Sequence, residues 1–150
     1  MNLYDSAQVQ AVWERVHGAM QQPSGPERLT AFLSDCAALE RSYRAMAAHA
    51  GKNAAVLRNM AAEEARHRRQ LSALYFLQNG EKPKILSGAS EGRRSYSAAL
   101  RSCYQAEQRA LRHWQQAAAL WPDQTALFVR LAEDTQRHLQ QLRQLTSDIM

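Results

Sequence analysis

The sequence predicts an all-α fold: a four-helix bundle made of two antiparallel helical hairpins joined by a crossover, with a short helix ahead of them. Three observations predict it. Ala, Leu, Arg, Gln and Glu dominate while β-branched residues are few, which is the composition of long helices. The six Gly and four Pro fall at a handful of places and leave long uninterrupted stretches between them. Within those stretches apolar residues recur at three-four spacing, the pattern of a helix with one buried face. With 150 residues the chain suits a single domain, 1–150, built around one core.

The breaks define the elements in order. A short leading helix over about Asp5 to Met20, within the segment 1–22, is stopped by Gln21-Gln22-Pro23-Ser24-Gly25. Pro26 then takes the first turn of a long helix that runs to about Ala50, because a proline at that place gives up only a backbone N–H that would have no helical partner. Gly51 closes this helix with a turn too short for anything but an antiparallel neighbour, and a second helix follows from about Lys52 to Gln78, stopped by Asn79-Gly80. This is the first hairpin, 26–78. Pro83 and Gly88 lie in the one longer connection. A third helix starts near Ser90 and runs to Leu120, where Trp121-Pro122-Asp123 makes a second tight turn into a fourth helix ending near Ser147, giving the second hairpin, 90–147.

Composition also bounds the function. No segment reaches the roughly eighteen consecutive apolar residues that cross a bilayer, and Met1 to Met20 carries no basic stretch followed by an apolar run, so a soluble, cytoplasmic protein with no membrane partner is expected. Cys36 and Cys103 are too few for a disulfide framework and lack the paired short spacing of a zinc knuckle, which points to reduced, buried thiols. The formal charge of +5 comes mostly from arginine, with lysine only at positions 52, 82 and 84. The arginines are scattered among Gln and Glu, the pattern of a solvated helical face, so nucleic acid is not the expected partner.

Written against itself at a fixed offset of 71 residues, the segment Cys36 to Leu74 pairs with Glu107 to Leu145 without a gap, and ten of the 39 pairs are identical. Arg66, His67, Gln70, Leu71 and Leu74 return as Arg137, His138, Gln141, Leu142 and Leu145, while Gly51 meets Pro122 at the turn. This reads as a duplicated hairpin, with convergent helix composition as the alternative.

Each apolar stripe is interrupted by polar residues at mid-length. The second helix offers Leu57 and Met60, then Glu64 and His67, then Leu71 and Leu74; the fourth offers Phe128 and Leu131, then Thr135 and His138, then Leu142, Leu145 and Ile149. The first helix carries Leu29, Leu33, Cys36, Tyr43 and Ala47, and the third Tyr96, Leu100, Cys103, Glu107, Trp114 and Ala118. Cys36 and Glu64 lie fifteen residues before and thirteen after Gly51, as Glu107 and Thr135 do about Pro122, so all six positions are expected to share one layer. A buried carboxylate or imidazolium is costly unless ions, protons or hydrogen bonds compensate it.

A bundle in which two helices each give a Glu and two give Glu-x-x-His is the di-iron carboxylate arrangement. Leu39-Glu40-Arg41-Ser42-Tyr43-Arg44-Ala45-Met46-Ala47 with Met60-Ala61-Ala62-Glu63-Glu64-Ala65-Arg66-His67, and Leu131-Ala132-Glu133-Asp134-Thr135-Gln136-Arg137-His138 near the end, resemble the rubrerythrin-type, ferritin-like proteins of bacteria over all four long helices. The resemblance implies iron binding and chemistry on peroxide, oxygen or iron itself. Carried over by position, it keeps Glu64, His67, Glu107 and His138 as metal ligands. Cys36 stands where the first helix would give its glutamate, and Thr135 where the fourth would give its bridging one. Glu40, one turn beyond Cys36, and Glu133 and Asp134, which flank Thr135, are the weaker substitutes, since a ligand displaced by a turn or by a hundred degrees misses the layer.

Charge counting then sets the metal number. Four carboxylates balance two divalent ions, whereas Glu64 and Glu107 with neutral histidines balance one, so a reduced site for a single iron, manganese or zinc ion is expected, with Cys36 as a further ligand in its thiolate form. Protonated histidines would neutralise the same layer with no metal at all, and that alternative stays open. Two functions follow: a non-haem iron or manganese oxidoreductase of peroxidase type, or a metal-free helical module for interaction or structure, with a homodimer compatible with either. The rubredoxin-like cysteine pairs of full rubrerythrins are absent, so the first requires an external electron donor. An iron-storage cage is disfavoured because the extra helix precedes the bundle.

Overall fold

The computed structural model describes residues 25–85 and 94–150, and the expected leading helix over 1–22 lies outside the described residues. The described residues form four long helices with no strand among them: α1 (Gly25–Ala47), α2 (Ala54–Asn79), α3 (Tyr96–Leu120) and α4 (Thr125–Ser147). Single 3-10 turns, Gly51–Asn53 and Pro122–Gln124, join α1 to α2 and α3 to α4. No described helix is long and apolar enough to cross a membrane.

α1 packs along α2 and α3 along α4, while the α1–α3 and α2–α4 seams are lighter, the last most of all. Directions follow from the two apolar clusters that fill the interior. One draws on the start of α1 (Leu29, Leu33), the end of α2 (Leu71, Leu74), the end of α3 (Trp114) and the start of α4 (Phe128, Leu131). The other draws on the end of α1 (Tyr43, Met46), the start of α2 (Leu57, Met60), the start of α3 (Leu100, Cys103) and the end of α4 (Leu142, Leu145). Each helix is therefore antiparallel to the two it touches, and α2 ends at the opposite end of the bundle from the start of α3. Full burial of each large apolar side chain contributes about 1.5–3 kcal/mol, and the clusters lie above and below the level at which the stripes change to polar residues.

Local chemistry moves several boundaries. α1 ends at Ala47, short of the expected Ala50, because His49 and Ala50 donate to the carbonyls of Met46 and Ala47 in tightened i→i+3 bonds before Gly51 turns the chain at φ +54°. The third helix does not run on from Ser90. Ser95 is extended (ψ 156°) and its hydroxyl accepts the N–H of Ala98, a side-chain cap that starts α3 at Tyr96. Three expected stripe positions also shift: Tyr96 is half-buried, Ala117 takes the core place assigned to Ala118, and Ile149, beyond the end of α4, is exposed.

Candidate metal centre

The two apolar clusters enclose a polar layer at mid-bundle. Cys36 from α1, Glu64 and His67 from α2, Glu107 from α3, and Thr135 and His138 from α4 are each at most 2 % exposed. Glu64 and His67 face the same way because three residues on a helix bring side chains onto one face, and the same spacing joins Thr135 to His138.

Glu64 sits between the two imidazoles. Its Oε2 lies 3.5 Å from His67 Nδ1, and its Oε1 lies 3.3 Å from His138 Nδ1. His138 Nδ1 also meets Glu107 Oε1 at 2.9 Å, and the Tyr43 hydroxyl donates to the same oxygen at 2.7 Å. The ligand-type atoms form two groups within which all lie at most 4.8 Å apart: Cys36, Glu64 and His67, and Glu64, Glu107 and His138. All five residues expected as ligands are thus brought together, with Glu64 common to both groups. Thr135 stands in neither; its hydroxyl accepts the indole N–H of Trp114 at 3.0 Å. Glu40, although largely buried, is held by Arg44 at 3.0 Å and Arg68 at 3.2 Å and joins neither group.

The sequence reading missed an outer ring of charges. His67 Nε2 meets Asp134 Oδ2 at 2.8 Å and His138 Nε2 meets Glu63 Oε2 at 2.8 Å, so each histidine is held by the acidic residue next to the layer position on the opposite helix. Arg66 binds Asp134 at 2.8 Å, and Arg137 binds Glu63 at 2.6 Å and Asp134 at 3.1 Å. The signal was present, because the 71-residue offset that pairs His67 with His138 also pairs Glu63 with Asp134 and Arg66 with Arg137.

Electrostatics gives this ring a purpose. Burial works to raise the Asp134 carboxyl, but the hydrogen bond from His67 and the two arginines outweigh it and hold it below its ordinary value. The hydrogen bond with His138 lowers Glu63 likewise. Facing ionised carboxylates, both Nε2 atoms carry hydrogen and donate, and in the neutral ring this turns the Nδ1 lone pair toward the layer, as a metal ligand requires.

Inside the layer, burial works to raise Glu64, but the two imidazoles that face it, His138 and then His67, prevail and lower it. Burial and the neighbouring Glu64 charge push Glu107 up. Burial would lower His138, yet its bonds to Glu107, Glu63 and Glu64 raise it to about 11, so the metal-free layer holds an imidazolium there. Burial and the two glutamates push the Cys36 thiol well above its ordinary range, and burial with Glu107 takes Cys103 to about 12.

Two buried atoms of this layer have no hydrogen-bond partner: His67 Nδ1 and Glu107 Oε2. Native interiors rarely leave such atoms orphaned, and both belong to the candidate donor groups, so the residues fit a divalent transition-metal ion with nitrogen, oxygen and sulfur ligands. The class defined by fold and site is an all-helical bundle with a buried carboxylate–imidazole layer. Comparison with protein-family models, curated proteins and solved structures finds no match to this chain.

Proposed function

We propose that this chain is a rubrerythrin-type, ferritin-like protein that binds a single transition-metal ion in its central layer and works in redox chemistry on peroxide, oxygen or iron, with an external electron donor. The observation that carries the reading is the pair of buried atoms without a hydrogen-bond partner, His67 Nδ1 and Glu107 Oε2, on residues of the two donor groups that share Glu64. The antiparallel contacts of the four helices and the mid-bundle level of the layer support the ferritin-like part. An iron or manganese ion bound here supplies one-electron chemistry. The chain supplies Glu64, shared by both donor groups, and two imidazoles held in the ligating tautomer by Glu63 and Asp134. Cys36 and Thr135 in place of carboxylates leave too little negative charge in the layer for two divalent ions.

A second reading, a metal-free interaction or structural module, is favoured by His138, whose two nitrogens each meet a carboxylate and so offset part of the layer's negative charge with a proton. Metal analysis of protein produced with iron, manganese or zinc separates the two. One ion per chain is expected, lost in Glu64→Ala and retained in Glu40→Ala. No ion under any supplement selects the metal-free module, and two per chain refute the charge argument.

A further inference from the structure

We infer that the ion occupies the Cys36–Glu64–His67 half of the layer as a thiolate-bound site, while the Glu107–His138 half stays closed by its own hydrogen bonds. The inference rests on the single-ion reading above and names the donors that reading leaves open.

The two halves share Glu64 but differ in what their other donors already do. His138 has both ring nitrogens engaged by carboxylates, Glu107 at 2.9 Å and Glu63 at 2.8 Å, and Glu107 Oε1 takes the Tyr43 hydroxyl as well. An ion entering there must first break the bond between His138 Nδ1 and Glu107. His67 has its Nε2 bonded to Asp134, while its Nδ1 has no hydrogen-bond partner and only a long 3.5 Å contact with Glu64 Oε2, although the residue is 1 % exposed. A ring nitrogen of His67, the Cys36 sulfur and a Glu64 oxygen lie within 4.8 Å of one another. The other orphan, Glu107 Oε2, belongs to the closed half.

Charge agrees with geometry. A coordinating thiol gives up its proton to solvent as the sulfur–metal bond forms, so Cys36 and Glu64 together carry the two negative charges that match a divalent ion, with His67 neutral. The other half then keeps its own balance, with the His138 imidazolium against Glu107 and Arg137 against Glu63. A sulfur, nitrogen and oxygen donor set suits zinc, cobalt or iron(II) and disfavours manganese and magnesium. Cys103, equally buried, lies in the apolar cluster beyond the layer and belongs to neither donor group.

The test is titration of the full-length, chelator-treated protein with cobalt(II), read by absorption. One Co²⁺ per chain is expected, with a sulfur-to-metal charge-transfer band in the near ultraviolet. Cys36→Ser should lose that band and weaken binding by more than the roughly 10–100-fold that loss of an outer partner costs, while Cys103→Ser keeps the band. Helical circular dichroism verifies that each variant is folded, and excess zinc should erase the band by displacement where manganese does not. Co²⁺ bound without a sulfur band, or a band that survives Cys36→Ser, overturns the thiolate site and leaves the single-ion reading standing. No Co²⁺ bound at all overturns both.

Discussion

At His138, hydrogen bonds to Glu107, Glu63 and Glu64 outweigh burial and raise the pKa from 6.5 to about 11. A group raised on folding stabilises the folded state fully below its unfolded value, so this contribution is complete below about 6.5 and is lost as the pH rises toward 11. Glu64 has the opposite sign: lowered on folding, it stabilises above its ordinary 4.5 and fails as the pH drops below that. The chelator-treated protein is therefore expected to melt at progressively lower temperature from pH 7 toward pH 10, and scanning calorimetry across that range checks it. A flat profile would show that His138 is neutral in the metal-free layer. The layer was readable because Glu64, His67, Glu107, Thr135 and His138 break apolar stripes and Cys36 lies as far before Gly51 as Glu107 does before Pro122. Their pairing was not, since nothing in a linear pattern says that His138 turns one nitrogen to Glu63 and the other to Glu107.

Turn chemistry sets the ends of the elements, and it was read unevenly. Gly80 ends α2 at φ 72°, with its N–H donated to the Phe76 carbonyl at 2.8 Å. That is the left-handed position where a side chain is disfavoured, so Asn79-Gly80 was a sound stop signal. Gly80→Ala should cost about 1–2 kcal/mol from forcing an L-residue into that region. Ser90 and Ser95 are both residues of cap type, so the sequence does not choose between them, and it is Ser95 that caps α3. Ser95→Ala should cost about 1 kcal/mol. Urea unfolding midpoints, compared at constant slope, measure both; no change in Ser95→Ala would mean that α3 does not depend on its cap.

Across the whole bundle, the outer charges tie α2 to α4, the seam with the least packing. Glu63 and Asp134 each hold a histidine of the opposite helix, and Arg137 binds both acids. Glu63→Gln and Asp134→Asn should each destabilise the metal-free protein by about 1 kcal/mol or more, the cost of weakening a part-buried charged hydrogen bond. Because they share Arg137, the double variant should depart from additivity by at least about 0.5 kcal/mol in a double-mutant cycle. Strict additivity would mean that the two halves act independently. Four helices, two tight turns and the level of the polar layer were all carried by local signals: helix-forming composition, Gly and Pro at the breaks, and stripes of period 3.6. Glu40 shows where such signals stop, because its position one turn from Cys36 allows an inward reach; Arg44 is its i+4 neighbour on the same helix, but only the folded chain sets Arg68 against it as well. The division of the layer into an open half at His67 and a closed half at His138 likewise arises between helices. Side chains far apart in sequence compete there for the same few partners, and that competition exists only once the helices are packed.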